Sequence, residues 1–213
     1  MKDLRLKILV LAVTAAIIGL SPLPSWAIST TIDGVGRGGY LTYSHNPGGS
    51  FAGEIKIRID GGPQQIAFCV DLDHYIYQGH SYSTTIVKPI NGENYLKAAW
   101  LMSAFASGIA NNSDAAALQA AIWYAVYGDG VNGFNLVNVD PNSELGKKYS
   151  AYVAALSNFK PNDPNLTNIV LLQLQGGQTL ITTSVPEPSS LLLLGTGLLG
   201  LGITTRYRKK RTN

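Results

Sequence analysis

The stretch Glu54-Ile55-Lys56-Ile57-Arg58-Ile59-Asp60, then Gly61-Gly62-Pro63, then Gln65-Ile66-Ala67-Phe68-Cys69-Val70-Asp71-Leu72, sets the fold. Ile55, Ile57 and Ile59 alternate with Glu54, Lys56, Arg58 and Asp60, the period-two pattern of a half-buried strand. Gly61-Gly62-Pro63 is a turn signal. In residues 65–72, Ile66, Phe68, Val70 and Leu72 share one face, with Cys69 and Asp71 on the other. The two runs predict a hairpin. Residues 39–44 and 82–87 are weaker strand candidates.

Three helical stretches follow. Residues 95–106 place Leu96, Ala99, Trp100 and Ser103 on one stripe. Residues 114–127 have Ser113 as a suitable N-cap, Asp114 in the positive first turn and Gly128 just past the end. Residues 144–159 carry the apolar stripe Leu145, Tyr149, Tyr152, Leu156 and Phe159. Two late strands, 169–175 and 179–184, flank Gly176-Gly177. Strands, helices and strands again predict an α+β domain with a helical insertion in a sheet.

The chain has 213 residues, 46% hydrophobic and 14% charged, too apolar and too weakly charged for a disordered protein. A single cysteine, Cys69, excludes a disulfide scaffold and a Cys-rich zinc site. The net charge of +3 comes from the ends, where Lys2, Arg5, Lys7 and the bases of 206–211 lie. The middle is mildly acidic, so nothing predicts a nucleic-acid partner. Asp71, Asp73 and His74 are oxygen and nitrogen ligands at close spacing, and the loop from Asp129 to Gly133 looks faintly like a calcium loop but lacks the bidentate Glu and full ligand alternation; both read as solvated turns. No metal or cofactor is expected.

Both ends read as addresses. Residues 1–27 form a secretory signal peptide: a basic start, an apolar run over 8–20, helix-breaking Pro22 and Pro24, and Ser25-Trp26-Ala27 at the cleavage site. An uncleaved signal helix is the alternative. Residues 185–213 begin with Val185-Pro186-Glu187-Pro188, continue in a Gly-punctuated apolar run and end in a basic cluster. By itself this is a C-terminal membrane helix with its basic end in the cytoplasm. Residues 28–184 between the two form one domain.

The tripartite C-terminus resembles the PEP-CTERM sorting signal. The resemblance implies a Gram-negative host that makes exopolysaccharide, and export with transient or permanent residence in the inner membrane. It also implies recognition around Pro186, Glu187 and Pro188 by an exosortase-type enzyme. The destination would be the cell surface or matrix.

Cys69 and Gln119 are the two unusual residues of the domain. A lone exported cysteine is a buried apolar residue, a link to another chain, a nucleophile, or a partner for something other than sulfur. Gln119 lies in Leu118-Gln119-Ala120-Ala121-Ile122-Trp123, among apolar neighbours. A buried glutamine must satisfy its amide or lose about 1–3 kcal/mol.

Phe68-Cys69-Val70-Asp71 and Leu118-Gln119-Ala120-Ala121-Ile122-Trp123 together resemble the Cys–Gln (TQXA-type) thioester domains of bacterial surface adhesins. The chain carries Leu118 where Thr is usual. The resemblance implies a β-sandwich- or barrel-like sheet with a helical insertion, and an internal Cys69–Gln119 thioester. The chemistry is sensible in its own right. The Cys69 thiolate attacks the Gln119 carbonyl and expels ammonia, with proximity supplying most of the rate. Asp71 and His74 are candidate proton shuttles. Trp123 and Phe68 are candidates to exclude water.

Three functions compete at this point. The first is a covalent binder of protein amines or exopolysaccharide hydroxyls, acting once and so not a turnover enzyme. The second is a non-covalent matrix or polysaccharide-binding protein using Tyr40, Tyr43, Tyr75, Tyr77 and Tyr82. The third is a cysteine hydrolase pairing Cys69 with His74 or His80.

Overall fold

The computed structural model describes residues 28–44, 46–129 and 133–184. The signal peptide expected over 1–27 and the sorting segment expected over 185–213 lie outside the described residues. Among the described residues, no helix is long and apolar enough to cross a membrane.

The fold is α+β, built on one antiparallel sheet. Its strands are β1 (Ile28–Tyr43), β2 (Asn46–Ile59), β3 (Gln65–Cys69), β4 (Ser81–Val87), β5 (Leu136–Val137), β6 (Ile169–Leu174) and β7 (Thr179–Thr183). The sheet order is β2-β3-β7-β6-β4-β1-β5, and β2 also pairs with β1. That extra pairing closes β1, β2, β3, β7, β6 and β4 into a ring, a barrel-like arrangement that leaves few free edges. Helices α1 (Glu93–Phe105), α2 (Asn112–Tyr127) and α3 (Glu144–Ala155) are inserted between β4 and β6, which are themselves paired.

The hairpin read from 54–72 is present, with Ile55 opposite Ala67 and Ile57 opposite Gln65. Its first strand is much longer than the alternation at 54–60 indicated. β1 and β2 form a long ribbon from Thr30–Ile59 to Tyr43–Asn46, so residues 39–44 are only the end of a strand. Glycines hid the rest. Gly38 and Gly53 face each other at positive φ, and a Cβ on either would collide with the opposing backbone. They let the two strands approach across a register shift. Glu54, expected to face solvent, is buried there and paired with Arg37 at 2.6 Å. Arg37 also donates to the carbonyl of Ile109, tying the α1–α2 turn to the ribbon.

Two apolar clusters lie on either side of the β3-β7-β6 wall. One holds Ile57, Ala67, Cys69, Leu172 and Leu180 together with Ala116, Ala120 and Trp123. The other holds Phe68, Val70, Leu171 and Ile181 with most of the helical insertion. These strands are therefore buried on both faces.

Helix α2 runs between the clusters and is buried from Asp114 to Trp123. A helix apolar all round belongs in an interior. Its N-cap is Asn111, not Ser113 as the sequence suggested. The Asn111 side chain accepts from Asp114 N at 2.9 Å, and Asp114 reaches back to Ala110 N at 3.1 Å. This reciprocal pair satisfies two otherwise unbonded donors, and Ser113 has no such partner three residues on. Gly128 ends the helix at φ 71, as expected. On α1 the buried face is Ala98, Ala99, Leu101 and Met102, rotated from the predicted Leu96–Trp100 stripe. That helix packs against both a helix and a strand, which widens its apolar face. The predicted stripe packs against the core, Leu145, Tyr149 and Tyr152 on α3 and Leu156 and Phe159 just past its end, and exposed Lys148 of α3 pairs with Asp114 at 3.0 Å.

Candidate functional site around Cys69 and Gln119

Cys69 is the last residue of β3, 3% exposed. Its neighbour Val70 donates to Thr179 O at 3.0 Å, on the β7 side. Backbone alternation then directs the Cys69 N–H and C=O toward β2. Pairing with β2 has stopped by that point, its last pair being Ala67 with Ile55. Both groups would be orphaned inside the protein. Gln119, 1% exposed on α2, satisfies both. Cys69 N donates to Gln119 Oε1 at 2.9 Å, and Gln119 Nε2 donates to Cys69 O at 2.7 Å.

The thiol is held by the following turn. Cys69 Sγ donates to Asp71 O at 2.7 Å and accepts from Asp71 N at 3.3 Å. Burial pushes the thiol up to about 12, against the Asp71 main-chain hydrogen bond and the Trp123 indole, which favour the thiolate. The Trp123 N–H is buried without a hydrogen-bond partner, on the same helix face as Gln119. Its ring packs against Tyr43 and Phe134, with centroids 5.5 Å away in each case.

The other residues singled out from sequence fall around this junction. The Asp71 carboxylate accepts from Asp73 N at 2.8 Å and meets His74 Nδ1 at 2.8 Å. It faces its own turn rather than the sulfur, and the His74 side chain is 59% exposed. His80 is exposed and its Nδ1 lies 3.3 Å from Gln78 O. Phe68 is fully buried, but on the opposite face of β3 from Cys69. Among the described residues no cluster of three His, Cys, Asp or Glu forms a metal site. Pro186, Glu187 and Pro188 lie outside the described residues.

Two participants escaped the sequence reading. Tyr127 Oη accepts from Leu72 N at 2.9 Å, and burial pushes its phenol up to about 12. The signal was present in the spacing: Gln119, Trp123 and Tyr127 recur every four residues and so stack on one helix face. All three reach the Cys69–Leu72 segment. Gln178 donates to Asp71 O at 3.2 Å. Only the pairing of β3 with β7 brings it there, so no local pattern marks it.

Comparison with known proteins follows from both halves of the chain. Residues 184–209 match the PEP-CTERM protein-sorting motif. The C-terminus is thus the sorting signal its tripartite pattern resembles, and it marks an exported protein handled by an exosortase-type enzyme. Among solved structures, the chain is similar to the N-terminal thioester domain of the fibronectin-binding protein SfbI from Streptococcus pyogenes. That match has 17% identity, covers 78% of this chain and 97% of that one, and has a TM-score of 0.42. It is also similar to the N-terminal domain of the Streptococcus pyogenes pilus tip adhesin Cpa, at 14% identity, 78% and 97% coverage, and a TM-score of 0.42. The thioester domain of the Staphylococcus aureus TIE protein follows at 14% identity, 74% and 78% coverage, and a TM-score of 0.40. No curated protein matches the chain.

Proposed function

We propose that this exported protein attaches covalently to amine or hydroxyl nucleophiles through an internal thioester between Cys69 and Gln119. The observation that supports it is the two-point pairing of the Gln119 amide with the Cys69 peptide, at 2.9 and 2.7 Å. It supports this reading because a buried carboxamide is held against the main chain of the only cysteine in the sequence.

The geometry suits the reaction. When the thiolate attacks the Gln119 side-chain carbon, negative charge develops on Oε1. The Cys69 N–H already donates to that oxygen and acts as a preorganised oxyanion donor. The intermediate expels Nε2 as ammonia, and the thiol proton accounts for the third hydrogen of that ammonia. The uphill step is ionisation: with the thiol at about 12, on the order of one in 10⁵ is thiolate near pH 7. The Trp123 N–H lowers that barrier, and fixed proximity supplies the rest. The thiol donates to the Asp71 main-chain oxygen, and the Asp71–His74 pair beside that turn, open to water at His74, is the nearest route for its proton in this scheme. Trp123 closes one side of the niche, and Phe68 fills the core behind the strand.

The stored acyl group is used once, so the protein is a self-modifying binder. Intact mass of the secreted form tests this. It should be lighter than its sequence by one ammonia, add methylamine, and lose both properties in Cys69→Ala. An unchanged mass with a freely titratable thiol overturns it.

A second reading, a non-covalent matrix or polysaccharide binder, is favoured by the exposure of Tyr40, Tyr75 and Tyr77 at 81%, 61% and 62%. Tyr43 does not contribute to it, being core beside Trp123. Undiminished glycan binding by Cys69→Ala with no mass change in the wild type would select this reading.

A further inference from the structure

Cys69 forms part of the floor of a cleft of about 300 Å³, together with Ile32 and Ile55. The rim carries the exposed rings of Tyr40 and Tyr75, and Phe51 stands edge-on to Tyr40 at 6.2 Å and 80°. The polar lining is Ser50, Gln78 and Gln178. Gln178 is anchored through one N–H to Asp71 O. Gln78 lies over Gly34, where a Cβ would press on its amide nitrogen at 3.2 Å, so this glycine makes room for the amide. Among the described residues, none that lines the cleft is charged. Asp73 belongs to a neighbouring hollow that shares only Tyr75 with the cleft.

This chemistry discriminates between nucleophiles. An ammonium entering the cleft loses water and finds no carboxylate to compensate it. An acidic ligand equally finds no cation. A neutral ring with apolar faces and hydroxyl edges meets both its needs: aromatic surface for the faces, amides and a hydroxyl for the edges. The geometry points to a neutral sugar unit of a glycan as the occupant of this cleft, with one hydroxyl directed at the Cys69–Gln119 site.

The covalent step rests on the thioester reading; the recognition does not. In that step the sugar oxygen bonds to the Gln119 side-chain carbon and the carbon–sulfur bond breaks. The hydroxyl proton passes to the Cys69 sulfur. The products are an ester and a thiol, and nothing is oxidised or reduced.

The test uses full-length Cys69→Ala protein, which cannot form the bond, and calorimetric titration. The probes are cellohexaose, mannohexaose and chitohexaose, with hexagalacturonate and a lysine-rich peptide as charged comparisons. At least one neutral hexasaccharide binds saturably and the charged probes do not. Adding Tyr40→Ala and Tyr75→Ala weakens that binding by about tenfold or more. Both rings are exposed, and thermal unfolding verifies that these variants fold. Wild-type protein then gains the mass of the bound sugar, released by mild alkali. The inference is overturned if no neutral probe binds, if the charged probes bind as well, or if the tyrosine substitutions change nothing. Ammonia loss without glycan binding sinks this inference alone. Glycan binding without ammonia loss sinks the thioester and leaves the recognition standing.

Discussion

The side-chain amide of Gln119 exchanges two hydrogen bonds with the main-chain peptide of Cys69, as a neighbouring strand would. It takes up the place that β2 leaves vacant beyond the Ala67–Ile55 pair. One glutamine thereby completes a sheet and fixes its carboxamide against the main chain of the only cysteine of the protein.

Gln119→Ala strands the buried N–H and C=O of Cys69 together. Each buried unsatisfied group costs about 1–3 kcal/mol, so the variant loses about 2–6 kcal/mol of stability. Urea denaturation should show a lower midpoint with an unchanged slope. The ammonia loss disappears as well.

Trp123→Phe keeps an aromatic ring against Tyr43 and Phe134 but removes the N–H that favours the thiolate. The smaller ring leaves a cavity that lowers stability by about 1–2 kcal/mol. The rate of ammonia loss, followed by mass after refolding, falls on the order of tenfold. An unchanged rate would remove Trp123 from the chemistry.

In protein that retains the free thiol, Cys69 is raised to about 12 from an ordinary value near 9.0. Its reaction with iodoacetamide at pH 8 is about a thousandfold slower than in the unfolded chain, and rises roughly tenfold per pH unit. The raised value also sets a stability window. The unfolded thiol ionises first, so the contribution is complete below pH 9 and is lost as pH rises to about 12. Denaturation midpoints across alkaline pH check the sign.

Leu118 is fully buried in the core between α2 and the other helices. Leu118→Thr removes packed methyl groups and buries a hydroxyl, lowering stability by about 2–4 kcal/mol. If ammonia loss proceeds at the same rate in both forms, residue 118 serves packing and the thioester forms without a hydroxyl there.

The alternation of Ile55, Ile57 and Ile59, the Gly-rich turn and the Gly128 stop were readable because each is a local rule: period two, turn chemistry and a left-handed cap. The identities of Cys69 and Gln119 were readable for a different reason, being polar or reactive residues set in apolar runs. The length of β1 and β2 was not readable, because Gly38 and Gly53 break the local pattern for the sake of a contact between distant strands. The Asn111 cap, with Asp114 as its return partner, was not read from the sequence, which pointed to Ser113.

The sequence by itself determined the C-terminal sorting signal and singled out Cys69 and Gln119, since both depend on residue type and short spacing alone. Only the tertiary structure decided that the pairing of β2 with β3 stops short of Cys69, that α2 passes there, and that Asp71 offers the sulfur its backbone while its carboxylate turns to His74. Those outcomes depend on the closure of a sheet between residues far apart in the chain, and no local interaction energy encodes where a strand pairing stops.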